Sequence, residues 1–209
     1  YIPNSGNRIY VNDLAYEMGF RNGDEVLSMD DYVPDDFSML QADLVRREAG
    51  KVSVLRGKDT VVLYIDQALT GQVLNSPLMF DLAIPFVVDS VDAAGPNFGS
   101  ALRSGDRIRA IDSLSIDYLQ DARPILAEKF GREVLAEVER PDGTSYRTRL
   151  QVDSLGRIRV FTRTPEIRNR TYSLISAIPA GVELTGKTIS SYLKDLKMLV
   201  KPSTVAYKS

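Results

Sequence analysis

The chain has 209 residues with 26 basic and 28 acidic side chains, a formal charge of -2, 44% hydrophobic residues and no His, Cys or Trp. Without His there is no imidazole relay or metal ligand. Without Cys there is no thiolate nucleophile, disulfide or thiolate metal site. Any chemistry falls to carboxylates, Lys, Ser/Thr, Tyr or Arg, and the length allows one large domain or two of about 100 residues.

No stretch reaches the ~18–20 uncharged apolar residues that cross a bilayer. There is no signal-peptide pattern at the start, and the chain opens on Tyr1, as in a processed protein or an excised piece. In chain order, Arg8–Val11 opens a first unit as a strand. Gly19–Asp30, GFRNGDEVLSMD, then recurs without a gap as Ala101–Asp112, ALRSGDRIRAID.

The surroundings repeat as well. Phe37–Glu48 and Tyr118–Lys129 read as short helices, each with a glycine shortly after it, Gly50 and Gly131. Val52–Arg56 and Val134–Arg140 read as alternating strands that enter charged turns, Gly57–Asp59 and Pro141–Gly143, and lead to further strands. Pro85–Val91 is a strand opening the second unit, and the loop Ala93–Ser100 comes after it. A repeat of this length is a duplicated small domain, longer than a solenoid unit.

From Ile189 the apolar residues Ile189, Tyr192, Leu193, Leu196, Leu199 and Val200 fall at helical spacing, and Pro202 ends the run. Residues 169–209 hold six basic and two acidic residues, and residues 1–168 hold 20 and 26. An acidic body thus carries a basic amphipathic tail, suited to its own domain, a membrane surface or a partner.

Gly181–Thr188, GVELTGKT, fits the phosphate-loop pattern. The stretch from Ile189 to Ser209 is too short for the parallel strands and acidic magnesium ligand of a nucleotide fold. Gly23-Asp24 and Gly105-Asp106 are read as tight turns and not as catalytic carboxylates. Asp30-Asp31 and Asp35-Asp36 lack the spacing of a calcium loop. Arg163, Arg168 and Arg170 lack interleaved aromatics, which argues against nucleic acid.

Phe86–Asp112 and Val134–Leu150, and more loosely Gly19–Arg56, resemble the bacterial, permuted PDZ domain in the order strand, A-G-P-rich loop, L-x-x-G-D-x-I-x-x-I-D, helix and V-x-x-E-V-x-R-x-D-G strand. Such tandems occur in HtrA-type serine proteases and in RseP-type, site-two intramembrane zinc metalloproteases. The stretch beyond the second unit, Val152–Val160 and Tyr172–Gly181 leading into an amphipathic helix, is similar to Bacteroidetes-like members of the latter.

The resemblance implies a mainly β fold with short helices (α+β): PDZ domains over residues 1–77 and 78–168, then an amphipathic membrane-proximal segment over 169–209. It implies a non-catalytic periplasmic module at the bacterial inner membrane that size-filters substrate access in intramembrane proteolysis of the anti-sigma-factor type. The zinc and its H-E-x-x-H would lie elsewhere in the parent protease, so no catalytic residue, metal ligand or cofactor is assigned here. Partners would be the protease core, transmembrane substrates or peptide termini, and the membrane surface, with no nucleic acid.

A PDZ domain takes an extended peptide by strand addition. The family order places the loop near Leu78–Asp81, the groove strand at Leu82–Phe86 and the flanking helix at Tyr118–Lys129. Candidate peptide contacts are Phe80, Asp81, Leu82, Ala83, Ile84, Phe86, Ala122, Ile125 and Leu126. An inward Asp81 would repel a carboxylate, and either groove could instead be filled by its own chain. Candidate membrane or partner contacts are Lys187, Tyr192, Lys194, Leu196 and Lys197. A free-standing peptide-binding adaptor is the alternative, and nucleotide binding through Gly181–Thr188 a third.

Overall fold

Alternating apolar residues form eleven strands in residues 1–165, the part that the computed structural model describes, and the architecture is mainly β with a few short helices. In the first half, β1 (Ile9–Val11) leads to α1 (Asp13–Glu17), whose N-terminus is capped by the Asn12 side chain accepting from Ala15 N. β2 (Glu25–Met29), β3 (Lys51–Arg56) and β4 (Asp59–Tyr64) form an antiparallel meander. A 3₁₀ turn and α2 (Leu40–Arg46) cross between β2 and β3. After α3 (Gln67–Val73), β5 (Phe80–Leu82) returns to pair with β1, Val11 opposite Phe80 and Ile9 opposite Leu82.

The second half repeats the plan. β6 (Val88–Val91) precedes β7 (Arg107–Ile111), β8 (Leu114–Ser115), α4 (Leu119–Glu128), β9 (Glu133–Glu139) and β10 (Ser145–Gln151). The sheet order is β10-β9-β7-β8, and β11 (Val160–Thr162) returns to pair with β6. β7 and β9 stand at the repeat positions of β2 and β3. Leu40, Leu44, Val52 and Val54 fill the first core where Ala122, Leu126, Val134 and Ala136 fill the second.

The Gly-Asp pairs make turns. Gly23 and Gly105 have φ of 89° and 91°, where a side chain is strained. Asp24 and Asp106 are buried, and each accepts from a backbone N–H three residues back, Arg21 N and Arg103 N, both at 2.9 Å. Asp30 accepts from Gly50 N and Lys51 N, and Asp36 caps the 3₁₀ turn through Ser38. Among the described residues, no group of three or more acidic side chains is placed to hold a metal ion, and no helix is long and apolar enough to cross a membrane.

The division between the cores differs from the one expected at 77/78. The first core includes Met79 and Phe80, with Leu82 packed against it, and the second starts at Phe86. The reason is β5: it closes the first half by pairing with β1, which turns Phe80 inward onto Phe20, edge to face at 4.9 Å. The expected segment 169–209 lies outside the described residues.

Candidate functional site

A groove of about 500 Å³ lies between α4 and the segment entering β11. Its wall residues include Phe86, Leu119, Leu126, Ile158 and Val160. Leu155 and Phe161, which also line it, are 70% and 57% exposed, a large apolar area left open to water. β11 is hydrogen-bonded to β6 on one side and has no strand on the other among the described residues. An exposed edge of this kind can template a further strand.

The loop before β11 is built by its own polar residues. The Asp153 carboxylate accepts from Leu155 N at 2.9 Å and Arg157 N at 2.8 Å, and Asp153 N donates to Arg157 O. Burial acts to raise the Asp153 carboxyl, but the Arg157 and Leu155 N–H groups and the Arg157 guanidinium together hold it below the usual carboxylate range. Buried Asn97 ties the loop to β10 by donating to Gln151 O and Ile158 O and accepting from Gln151 N. Gly156 has φ of 73°, and a Cβ there would stand 2.9 Å from Ala127 Cα, so only glycine lets the loop approach α4 this closely. Arg159 pairs with Asp92 through two N–H groups and donates to Ala94 O. Asp92 is held below its ordinary range, first by Ala94 N–H and then, against burial, by Arg159.

The other wall, α4, is anchored at its N-terminus to the first half. One Asp121 oxygen accepts from Tyr118 N and Asp117 N, and the other accepts from Tyr10 OH at 2.8 Å. Gln120 donates to Leu82 O at 2.6 Å and to Asp81, and Leu119 N donates to Ile84 O at 2.7 Å. Tyr118 sits edge-on to Tyr10, and its hydroxyl occupies the space a Cβ on Gly23 would need.

Burial, then the hydrogen bond to Asp121, pushes the Tyr10 hydroxyl from its ordinary 10.0 to about 12. The fold therefore favours the neutral phenol. The associated stability is present below pH 10 and lost as pH rises toward 12. Tyr10→Phe is expected to cost about 0.5–1.5 kcal/mol at neutral pH. In urea titrations the gap between variant and wild type should narrow above pH 10; a gap that widens there contradicts the assignment.

The corresponding place in the first half is narrowed by a longer connection, leaving an open pocket of about 430 Å³ between Gln41, Val45, Val73 and Leu74. The connection from β4 to β5 runs over residues 65–79, against 152–159 from β10 to β11, and the longer one contains α3. Val73 of α3 is buried in the first core. Gln41 of α2 reaches across, donating to Val73 O at 3.2 Å and accepting from Met79 N at 3.0 Å.

Of the expected peptide contacts, Phe86 and Leu126 line the groove. Ala122 is fully buried in the second core, and Ile125 packs against that core. Phe80 is inside the first core. Asp81 and Leu82 meet Gln120, while Ala83 N and Ile84 N are held by Arg8 O and Gln120 at the junction of the halves. Leu82, Ala83 and Ile84 line a separate pocket of about 310 Å³ with Arg8 and Tyr118, while the 500 Å³ groove is bounded by Leu155–Arg159 and β11. Asp81, away from the groove, does not repel a ligand there. Leu119, Arg123 and Ala127 belong to the helix expected to flank the groove, while Leu155–Phe161 are additional to the expected contacts; the apolar-Gly-x-apolar run Leu155-Gly156-Arg157-Ile158 after an alternating strand is their signal in the sequence. Lys187, Tyr192, Lys194, Leu196, Lys197 and Gly181–Thr188 lie outside the described residues.

No family model matches the chain. No curated protein matches it either. Among solved structures it is similar to the crystal structure of the PDZ domain of an SdrC-like protein from Listeria monocytogenes, at 17% identity and a TM-score of 0.33, over 42% of this chain and 93% of that one.

Proposed function

We propose that residues 1–165 are two PDZ-like units, of which the second takes an extended peptide as an added strand on β11, against α4. The observation that carries this is the combination in one place of an unpaired strand edge and an open apolar groove. The first unit, its groove narrowed by α3, braces α4 through Tyr10 and Asp121.

At the level of the whole protein, the reading remains a non-catalytic periplasmic module of an RseP-type intramembrane zinc metalloprotease that filters substrate access at the inner membrane. It is supported by the sequence resemblance of Phe86–Asp112 and Val134–Leu150 and of the stretch beyond the second unit. Partners in this reading are the protease core, transmembrane substrates and the membrane surface.

Two measurements test the proposal. The full chain should select peptides from a displayed library with free C-termini, and Ala127→Trp, at an exposed groove position, should abolish selection while moving stability by less than about 0.5 kcal/mol. Unchanged selection by that variant overturns the groove assignment. Genomic sequence flanking the coding region should encode membrane spans with H-E-x-x-H; a soluble gene product without them overturns the protease assignment and leaves a peptide-binding adaptor.

A further inference from the structure

The repeat that aligns Gly19 with Ala101 places Arg123 of α4 at the position of Gln41 in α2, with Leu44 and Leu126 buried alike three residues on. Gln41 spans its groove and is satisfied at both ends of its amide by the chain's own segment, at Val73 O and Met79 N. Arg123 also lines its groove, whose far wall is the shorter connection before β11, and no group of that connection hydrogen-bonds to it. Arg123 is exposed and makes no hydrogen bond or ion pair among the described residues.

The charges around it differ in this respect. Arg159 is matched by Asp92 and Arg157 by Asp153, so the loop side of the groove is internally balanced. Arg123 is the groove cation left without a counter-charge among the described residues. A guanidinium offers a planar fork of donors that fits a carboxylate bidentately. The Gln41 position shows that a side chain from this helix site reaches an acceptor lying across the groove.

Resting on the groove reading above, we propose that the occupant is an acidic peptide: a strand on β11 that presents an Asp or Glu side chain to Arg123. The same repeat position then has two uses, an internal latch as Gln41 in the first half and a selectivity filter as Arg123 in the second. The preference comes from one charge-assisted contact at a partly solvated site, so replacing the peptide's Asp or Glu by its amide should weaken binding about five- to tenfold.

The test uses the full chain and a randomised library of displayed peptides with free C-termini. The expected result is enrichment of Asp or Glu at one peptide position, inverted to Lys or Arg by Arg123→Glu and erased by Arg123→Gln. Synthetic peptides from the selection, with Glu against Gln at that position and with free against amidated C-termini, should separate by the Glu/Gln change in fluorescence anisotropy. Separation by the C-terminal change alone assigns the carboxylate to a chain end and overturns the proposal. Peptides selected with no acidic bias, or with a bias Arg123→Glu leaves intact, also overturn it while the groove stands. A wild-type chain that selects no peptide overturns the groove reading, and this proposal with it.

Discussion

Phe80→Ala is expected to lower the unfolding free energy by about 3–5 kcal/mol, the cost of emptying a large buried aromatic site. Phe80 is 4% exposed and packs edge to face on Phe20, which is itself fully buried. It enters the first core because β5 pairs with β1, although in sequence it stands only a short step before Phe86 of the second core. Urea denaturation monitored by circular dichroism measures the loss. Peptide selection under conditions where the variant is folded should match wild type, since the groove contains no Phe80 contact. A loss below about 1 kcal/mol, far under the usual cost of emptying such a site, together with impaired selection would return Phe80 to a groove.

Asp24→Ala is expected to cost about 3 kcal/mol, against about 1–2 kcal/mol for Asp106→Ala at the same repeat position. Both carboxylates fix the same turn, but their outer partners differ. Asp24 is fully buried and holds Arg56 through two bonds of 2.8 Å. Its loss leaves a guanidinium deprived of its counter-charge, although Arg56 is 36% exposed and water softens the penalty to the lower end of the range for broken buried pairs. Asp106 instead accepts from Tyr146 OH at 2.6 Å, and that hydroxyl has a second acceptor in Ala101 O. Paired urea titrations decide the matter: equal losses would show that the outer partners contribute nothing and that the turn alone sets the cost.

What could be read in the sequence was whatever is specified locally. The duplicated turn is legible because Gly at positive φ and Asp three residues after its donor are short-range requirements. α2, α4, β3 and β9 are legible because each is long enough for its apolar period to show. β5 and β11 are three residues each, too short for any period, and their positions are decided by pairing with β1 and β6, strands remote from them in the sequence. Local patterns therefore point to a groove just before the second core, while the pairing of β11 with β6 leaves an open groove after β10. α3 had a usable signal in Asp66, which caps it by accepting from Ala68 N, with Leu69 and Val73 one turn apart.

The helix lodged in the first half also sets a stoichiometry. A duplicated binding unit would ordinarily give two linked sites, and linkage can raise apparent affinity by about 10²–10⁴ without any new contact. In the proposed reading, α3 and Gln41 narrow the first place and only the second takes the peptide, so residues 1–165 offer one valence and a peptide's residence depends on one contact surface. Binding curves should be hyperbolic and independent of ligand multimerisation, so a longer stay on this molecule must come from a better-matched peptide and not from a second foothold.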